Sequence, residues 1–195
     1  MKKIAFVHVP KAAGGSIKNW LTKNIGRENY AYTGHYSLSD TKNILPEYDK
    51  SFCVVRNTYD RLISLYTWMN LKFPRVIKKA SNAENEVNLQ RALALKEAHD
   101  RGMIPFFETY KELNWTNLSQ LHYIKEVDYI LRYETLDNDF KVIQEKLNCF
   151  EPLKKTSHIQ RSYDKKIFYT DEFKNYVSKN FKEELEFFQY SPLES

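Results

Sequence analysis

The chain has 195 residues and carries 30 Lys and Arg against 25 Asp and Glu, a formal charge of +5 at pH 7. With 42% hydrophobic and 15% aromatic residues and only 5 Gly and 6 Pro, it is excluded from the disordered, low-complexity and collagen-like classes, and its length suits one domain with a sizeable core. No apolar run approaches the ~18 residues of a membrane span, and the excess charge is too small and scattered for a dedicated nucleic-acid binder, though it suits a small anionic ligand or an acidic substrate.

Met1-Lys2-Lys3 leads into a short β-branched run ending at Val9 and Pro10, which reads as a buried strand rather than as the core of a signal peptide. After the small-residue loop Lys11 to Ser16, apolar residues at Ile17, Trp20, Leu21 and Ile25 mark one face of a helix that ends near Gly26. Ser51 to Val55 is a second strand, and beyond Arg56, Asn57 and Thr58 the residues Leu62, Leu65, Tyr66 and Met69 recur at helical spacing. Residues from about Lys78 to Gly102 are rich in Ala, Glu, Lys and Asn with few strong apolar anchors, so a solvated helical insertion or mobile flap is expected at about 72–103.

Val127 to Leu131 reads as a third strand, followed by a helix from about Leu136 to Leu147. Thr170 or Asp171 caps a last helix whose Phe173, Tyr176, Val177, Phe181, Leu185 and Phe188 share one stripe. Alternating strands and helices predict an α/β fold: residues 1–195 as a single domain, with a central, mainly parallel sheet covered by helices on both faces. Cys53 and Cys149 form no CxxC pair and are expected to be reduced and buried.

In such a sheet, ligands bind beyond the carboxyl ends of the strands, and two of those ends carry loops suited to anions. In Lys11, Ala12, Ala13, Gly14, Gly15 and Ser16 the small residues let backbone N–H groups approach a phosphate or sulfate, while Lys11 adds an ammonium and Ser16 a hydroxyl. The loop is P-loop-like without being a Walker A loop, because Lys11 precedes the glycines and no GxxxxGK[ST] string occurs in the chain. At the second strand end Arg56 offers a bidentate phosphate contact and Ser64 a further hydroxyl; Asp60 and Arg61 are assigned to helix-end electrostatics or packing.

Together the two loops resemble the sulfotransferase superfamily, in its carbohydrate branch that includes the heparan sulfate O-sulfotransferases. His8 to Ile17 is similar to that family's 5′-phosphosulfate loop, of the form hPKTAGTS, and Val54 to Tyr66 to its 3′-phosphate motif, of the form RxPxDRxxS. Tyr129 to Phe140 looks like the strand and helix start that follow, and His158 to Tyr163, continuing to Tyr190, like the C-terminal segment. The resemblance implies 3′-phosphoadenosine 5′-phosphosulfate (PAPS) as sulfuryl donor and 3′-phosphoadenosine 5′-phosphate (PAP) as product. It further implies that Lys11 and the small residues hold the phosphosulfate, Arg56 and Ser64 the 3′-phosphate, and Arg161 and Ser162 a loose additional cofactor contact. Ala12 and Gly15 stand where the family has threonines, and Thr58 where it has proline, so more of the cradle falls to backbone N–H groups.

Transfer to a hydroxyl leaves a proton to be removed, and His35, in the polar turn Thr33 to Ser37, resembles the family's catalytic base. Lys11 is the second catalytic residue, neutralising charge that develops on the leaving phosphate. His8 reads as packed, His99 as part of the solvated insertion and His122 as part of a helix-like run; with His158 they form no metal-ligand spacing, and no metal is expected. Glu134 reads as a salt-bridge residue, with orientation of substrate or Lys11 as its other role, and the sequons at Asn114 and Asn117 as chance matches.

The sequence therefore predicts in-line sulfuryl transfer from PAPS to a hydroxyl acceptor, expected to be a carbohydrate, with no nucleic-acid or membrane partner. Glycosaminoglycan-modifying members are usually Golgi-anchored; no such anchor is seen here, and a cytoplasmic bacterial or viral enzyme is expected. Two other readings stay open: an ATP-dependent phosphoryl-transfer enzyme, opposed by the absent Walker lysine, and a non-catalytic nucleotide- or glycan-binding module, favoured by the missing threonines.

Overall fold

Four short segments rich in β-branched and aromatic residues form the sheet: β1 (Ile4–Val7), β2 (Tyr30–Tyr32), β3 (Lys50–Val55) and β4 (Tyr129–Arg132). In this computed structural model, which describes residues 3–83, 85–154 and 165–192, all four run parallel in the order β2-β1-β3-β4. Ala5 pairs with Ala31 on one side and with Ser51 on the other, and Cys53 pairs with Ile130. The sequence reading expected three of these strands; β2 has only three residues and is followed at once by polar turn residues, so its period was too short to register.

The described chain divides into two compact units, Met1–Asn57 with Ser119–His158 and Thr58–Leu118 with Ile159–Ser195. The first holds the sheet and the helices α1 (Gly14–Asn24), α2 (Leu38–Thr41), α6 (Leu121–Ile124), α7 (Leu136–Asp139) and α8 (Lys141–Leu147). β1 is buried along its whole length, as a central parallel strand must be. Trp20 of α1 stacks edge-on against Phe140 at 4.9 Å and donates its indole N–H to the Glu151 carbonyl at 2.7 Å. At the amino ends of β3 and β4, Asp128 accepts the Ser51 N–H and hydroxyl, each at 2.8 Å, and the Lys50 ammonium at 2.7 Å. Cys53 is fully buried in β3, where the apolar surroundings push its thiol up to about 12; Cys149 is only half-buried.

The second unit is helical: α3 (Thr58–Asn82), α4 (Glu86–Arg101), α5 (Met103–Glu112), α9 (Asp171–Asn180) and α10 (Lys182–Phe188). Its core gathers Tyr59, Leu62, Phe73, Leu95, Phe106, Phe107, Phe173 and Val177. The predicted last helix is capped by Thr170, whose hydroxyl accepts the Phe173 N–H, but it breaks at Phe181 into α9 and α10.

The segment expected to be a solvated helical insertion or a mobile flap is helical, formed by the end of α3 and by α4, and part of it is buried. Phe73, Ala80, Ala92, Leu95, Ala98 and His99 are buried, and α3 runs on through Pro74 to Asn82. Small residues at 92 and 98 add little hydropathy, yet they let helices approach closely, which is why composition under-read this face. His99, far from solvated, stacks on Tyr66 at 4.0 Å between ring centres; its Nε2 lies 3.1 Å from the Tyr66 carbonyl, and the Tyr66 hydroxyl donates to the His99 carbonyl at 3.1 Å. Asp60 and Arg61 serve packing, as expected. Asp60 accepts the Tyr169 hydroxyl at 2.9 Å, and the fully buried Arg61 donates to the Leu118 carbonyl and lies 3.7 Å from Glu184, which also accepts the Thr58 hydroxyl at 2.6 Å.

Two outcomes are expected. Glu184→Ala removes the carboxylate beside the buried Arg61 guanidinium and the acceptor of the Thr58 hydroxyl, and lowers unfolding free energy by about 3 kcal/mol, read from the urea midpoint. Burial lowers the pKa of His99 below its ordinary 6.5, so its contribution to stability is complete above pH 6.5 and is lost as the pH falls from there through its folded value. In the difference between wild type and His99→Phe, the variant shows the shallower loss of stability with acid.

Candidate active site

The loops that carry the candidate residues follow β1, β2 and β3, all in the first unit. With strand order β2-β1-β3-β4, the direction of winding reverses at the β1/β3 boundary, the place where an open parallel sheet offers a crevice to a ligand.

After β1 the backbone turns sharply. Lys11 (φ 68°) and Ala13 (φ 62°) both occupy the left-handed region, at a cost of roughly 1–2 kcal/mol each for residues with a Cβ. Ala13 is the residue that precedes α1, and it has no side-chain oxygen to cap the helix; nor is there an acidic residue in the first turn. The amino end of α1, at Gly14, Gly15 and Ser16, therefore presents its positive dipole with no side-chain cap at Ala13. Ser16 is buried in that first turn. Gly14 is required: a Cβ there would lie 1.7 Å from Nε2 of His8.

His8 was expected to be packed, and it is. Its Nδ1 lies 2.6 Å from the Tyr32 hydroxyl and its ring stacks on Phe6 at 5.8 Å. Burial first, then the charges of His35, Lys18 and Lys11, push its pKa down to about 3. His35 sits after β2 with its Nδ1 3.2 Å from the His8 carbonyl. A carbonyl only accepts, so Nδ1 carries the proton and Nε2 keeps its lone pair. Although His35 is exposed, protein packed against one side of the ring lowers its pKa; the His8 carbonyl opposes that fall and Lys11 adds to it. Downstream, Ser37 and Asp40 form a reciprocal cap on α2, at 2.9 and 3.1 Å, and Nε2 of His122 lies 3.0 Å from the same Asp40 carboxylate.

Arg56 directly follows β3. Its guanidinium lies over the Tyr133 ring at 4.5 Å and donates to the Lys11 carbonyl at 3.3 Å, so the two strand-end loops meet. Gln120, fully buried, accepts the Arg56 N–H and donates to the Arg56 carbonyl, both at 2.8 Å. Glu134 accepts the Asn57 N–H at 2.7 Å, so it braces the backbone beside Arg56. Lys11 to Ser16, His35 and Arg56 thus belong to one end of one sheet. Ser64 is buried on α3 of the second unit, and Arg161, Ser162 and His158 lie outside the described residues. The sequence reading missed Gln120 and Tyr133: a lone Gln in a polar stretch and a Tyr after a strand have no local signature, because their roles arise only when β4 is laid beside β3.

A family model described as the Sulfotransferase family matches residues 1–191. The chain belongs to the sulfotransferase family. No curated protein and no solved structure gives a match. That family moves a sulfuryl group from a sulfonate donor to a hydroxyl-bearing acceptor. Among the described residues of this sulfotransferase, no helix is long and apolar enough to cross a membrane.

Gln120→Leu keeps the buried volume but removes both bonds to the Arg56 backbone. It is expected to cost about 2 kcal/mol, seen as a lower urea midpoint with an unchanged slope.

Proposed function

We propose that this sulfotransferase transfers the sulfuryl group of PAPS to a hydroxyl, most simply that of a carbohydrate, with His35 as general base. The observation that carries the reading is the meeting of the β1–α1 loop and Arg56 at the β1/β3 boundary, with His35 fixed beside them through the His8 carbonyl. The family match to residues 1–191 supports treating residues 1–195 as one functional domain.

The residues present fit the donor. Left-handed Ala13 followed by right-handed Gly14 turns successive N–H groups to one side, an arrangement suited to a phosphosulfate. Lys11 contributes a positive charge at that loop, and Arg56 a guanidinium that lies over Tyr133 on a backbone clamped by Gln120. The family resemblance assigns Arg56 to the 3′-phosphate, together with Ser64, and assigns Arg161 and Ser162 to further cofactor contact. PAPS supplies, when bound, an activated sulfuryl group on an anionic leaving phosphate.

The chain's own part is electrostatic and positional. Lys11 and the α1 amino end offset negative charge as it grows on the leaving oxygen. His35, neutral at pH 7 because its pKa is lowered, takes the acceptor proton on Nε2 while Nδ1–H stays on the His8 carbonyl. The absent threonines at 12 and 15 remove hydroxyl donors but no charge.

A thermal-shift comparison of PAP, ATP and adenosine 5′-phosphosulfate tests the donor site. PAP at ~100 times its Kd is expected to stabilise by about 2.7 kcal/mol and to exceed the other two; an equal or larger effect of ATP would instead favour phosphoryl transfer. Arg56→Ala should abolish the PAP shift. His35→Ala should keep it while losing turnover, whereas a binding module would show the shift without product. In the active enzyme, turnover declines as the pH falls below 6.5 through the lowered pKa of His35.

A further inference from the structure

One imidazole at this sheet end has no part in the mechanism above, yet three elements converge on it. His8 is held by the Tyr32 hydroxyl of β2 at 2.6 Å, by the Phe6 ring of β1 at 5.8 Å, and by Gly14 of α1, where no Cβ fits. Tyr32 in turn carries the Lys18 ammonium 5.0 Å above its ring. The His35 ring lies against this group, its centre 4.3 Å from that of His8 at a tilt of 48°. Its Nδ1–H meets the His8 carbonyl, so both the ring and the backbone of one residue address the same partner.

We propose that His8 is a positioning residue for the base: its tethered ring is a fixed platform that, with its own carbonyl, holds the His35 imidazole in the Nδ1–H form. This rests on the reading of His35 as the base. The physical need is electrostatic as well as geometric. A base that accepts a proton becomes a cation, and a second imidazolium 4.3 Å away would oppose it. The titratable groups that face His8 are Tyr32, His35, Lys11 and Lys18. The three cations among them, once His35 is protonated, all disfavour charge on His8, and burial adds to this, so His8 stays neutral while His35 gains its proton. The phenol of Tyr32, its pKa raised by burial, stays protonated and, as the stronger acid of the pair, donates to Nδ1 of His8. A glutamine at position 8 would keep a group for Tyr32 to bond but would remove the platform.

The test is the ring-nitrogen NMR spectrum of the full chain labelled with 15N-histidine, recorded against pH, with His35→Ala to assign the His35 signals. In the wild type, His35 is expected as the Nδ1–H tautomer titrating below pH 6.5. In His8→Gln the two tautomers mix and the titration midpoint rises by about half a pH unit or more as water reaches the ring. Tyr32→Phe, which only unties the platform, should move both in the same direction by less, and it serves if His8→Gln does not fold. A His35 tautomer and midpoint unchanged in these variants overturn the proposal. Release of PAP from PAPS with a desulfated heparan oligosaccharide is measured in parallel. Loss of the platform should lower kcat about tenfold or more while KM for PAPS stays within about twofold. Wild-type turnover in His35→Ala would overturn the base reading alone, since the spectra decide the platform independently.

Discussion

After β1 the chain places β2 on one side and then recrosses to place β3 on the other, and because all four strands run the same way the connections that follow β1 and β3 head for opposite edges of the sheet, while Arg56 and Lys11 at their starts still touch. That reversal is the constraint on which the site depends. In open parallel sheets the carboxyl ends at such a reversal are where ligands bind. The sheet then delivers three chemically different groups to the same end by register alone: an ammonium after β1, an imidazole after β2 and a guanidinium after β3.

Delivery is only part of the task, because long cationic side chains lose considerable freedom when fixed. Around Arg56 the structure meets that cost by bracing the backbone and covering the guanidinium. Gln120 clamps the Arg56 backbone from both sides, Tyr133 lies under the guanidinium, and Glu134 holds the next N–H. The left-handed turns at Lys11 and Ala13 are the opposite kind of investment, strain accepted where backbone N–H groups must face one way. Stability comes from elsewhere in the chain, including the aromatic core of the helical unit and the Arg61–Glu184 pair within it.

Much of this was legible in the residues. The strand, small-residue loop and helix at the amino terminus are written in a β-branched run, a Gly-Gly pair and apolar positions 17, 20, 21 and 25, and the family match agrees with the loops that pointed to it. What escaped has common physical causes. β2 was too short for a period to show, and the anchoring of α4 relies on alanines and on a stacked histidine whose burial no hydropathy scale anticipates. Gln120 bonds across 64 positions of sequence, and a long-range bond to backbone leaves no local trace. His8 was read as packed, which is true, but the identity of its neighbour gives that packing its meaning.

The contact between His8 and Gly14 carries one more implication. The ring at position 8 occupies the space that a side chain at position 14 would need, so the two residues share a single volume and the glycine is imposed by its neighbour rather than by its own helical backbone. Positions 8 and 14 should therefore vary as a pair across descendants of this fold: wherever a small residue replaces the ring, the glycine is released, and where the ring persists the glycine persists with it.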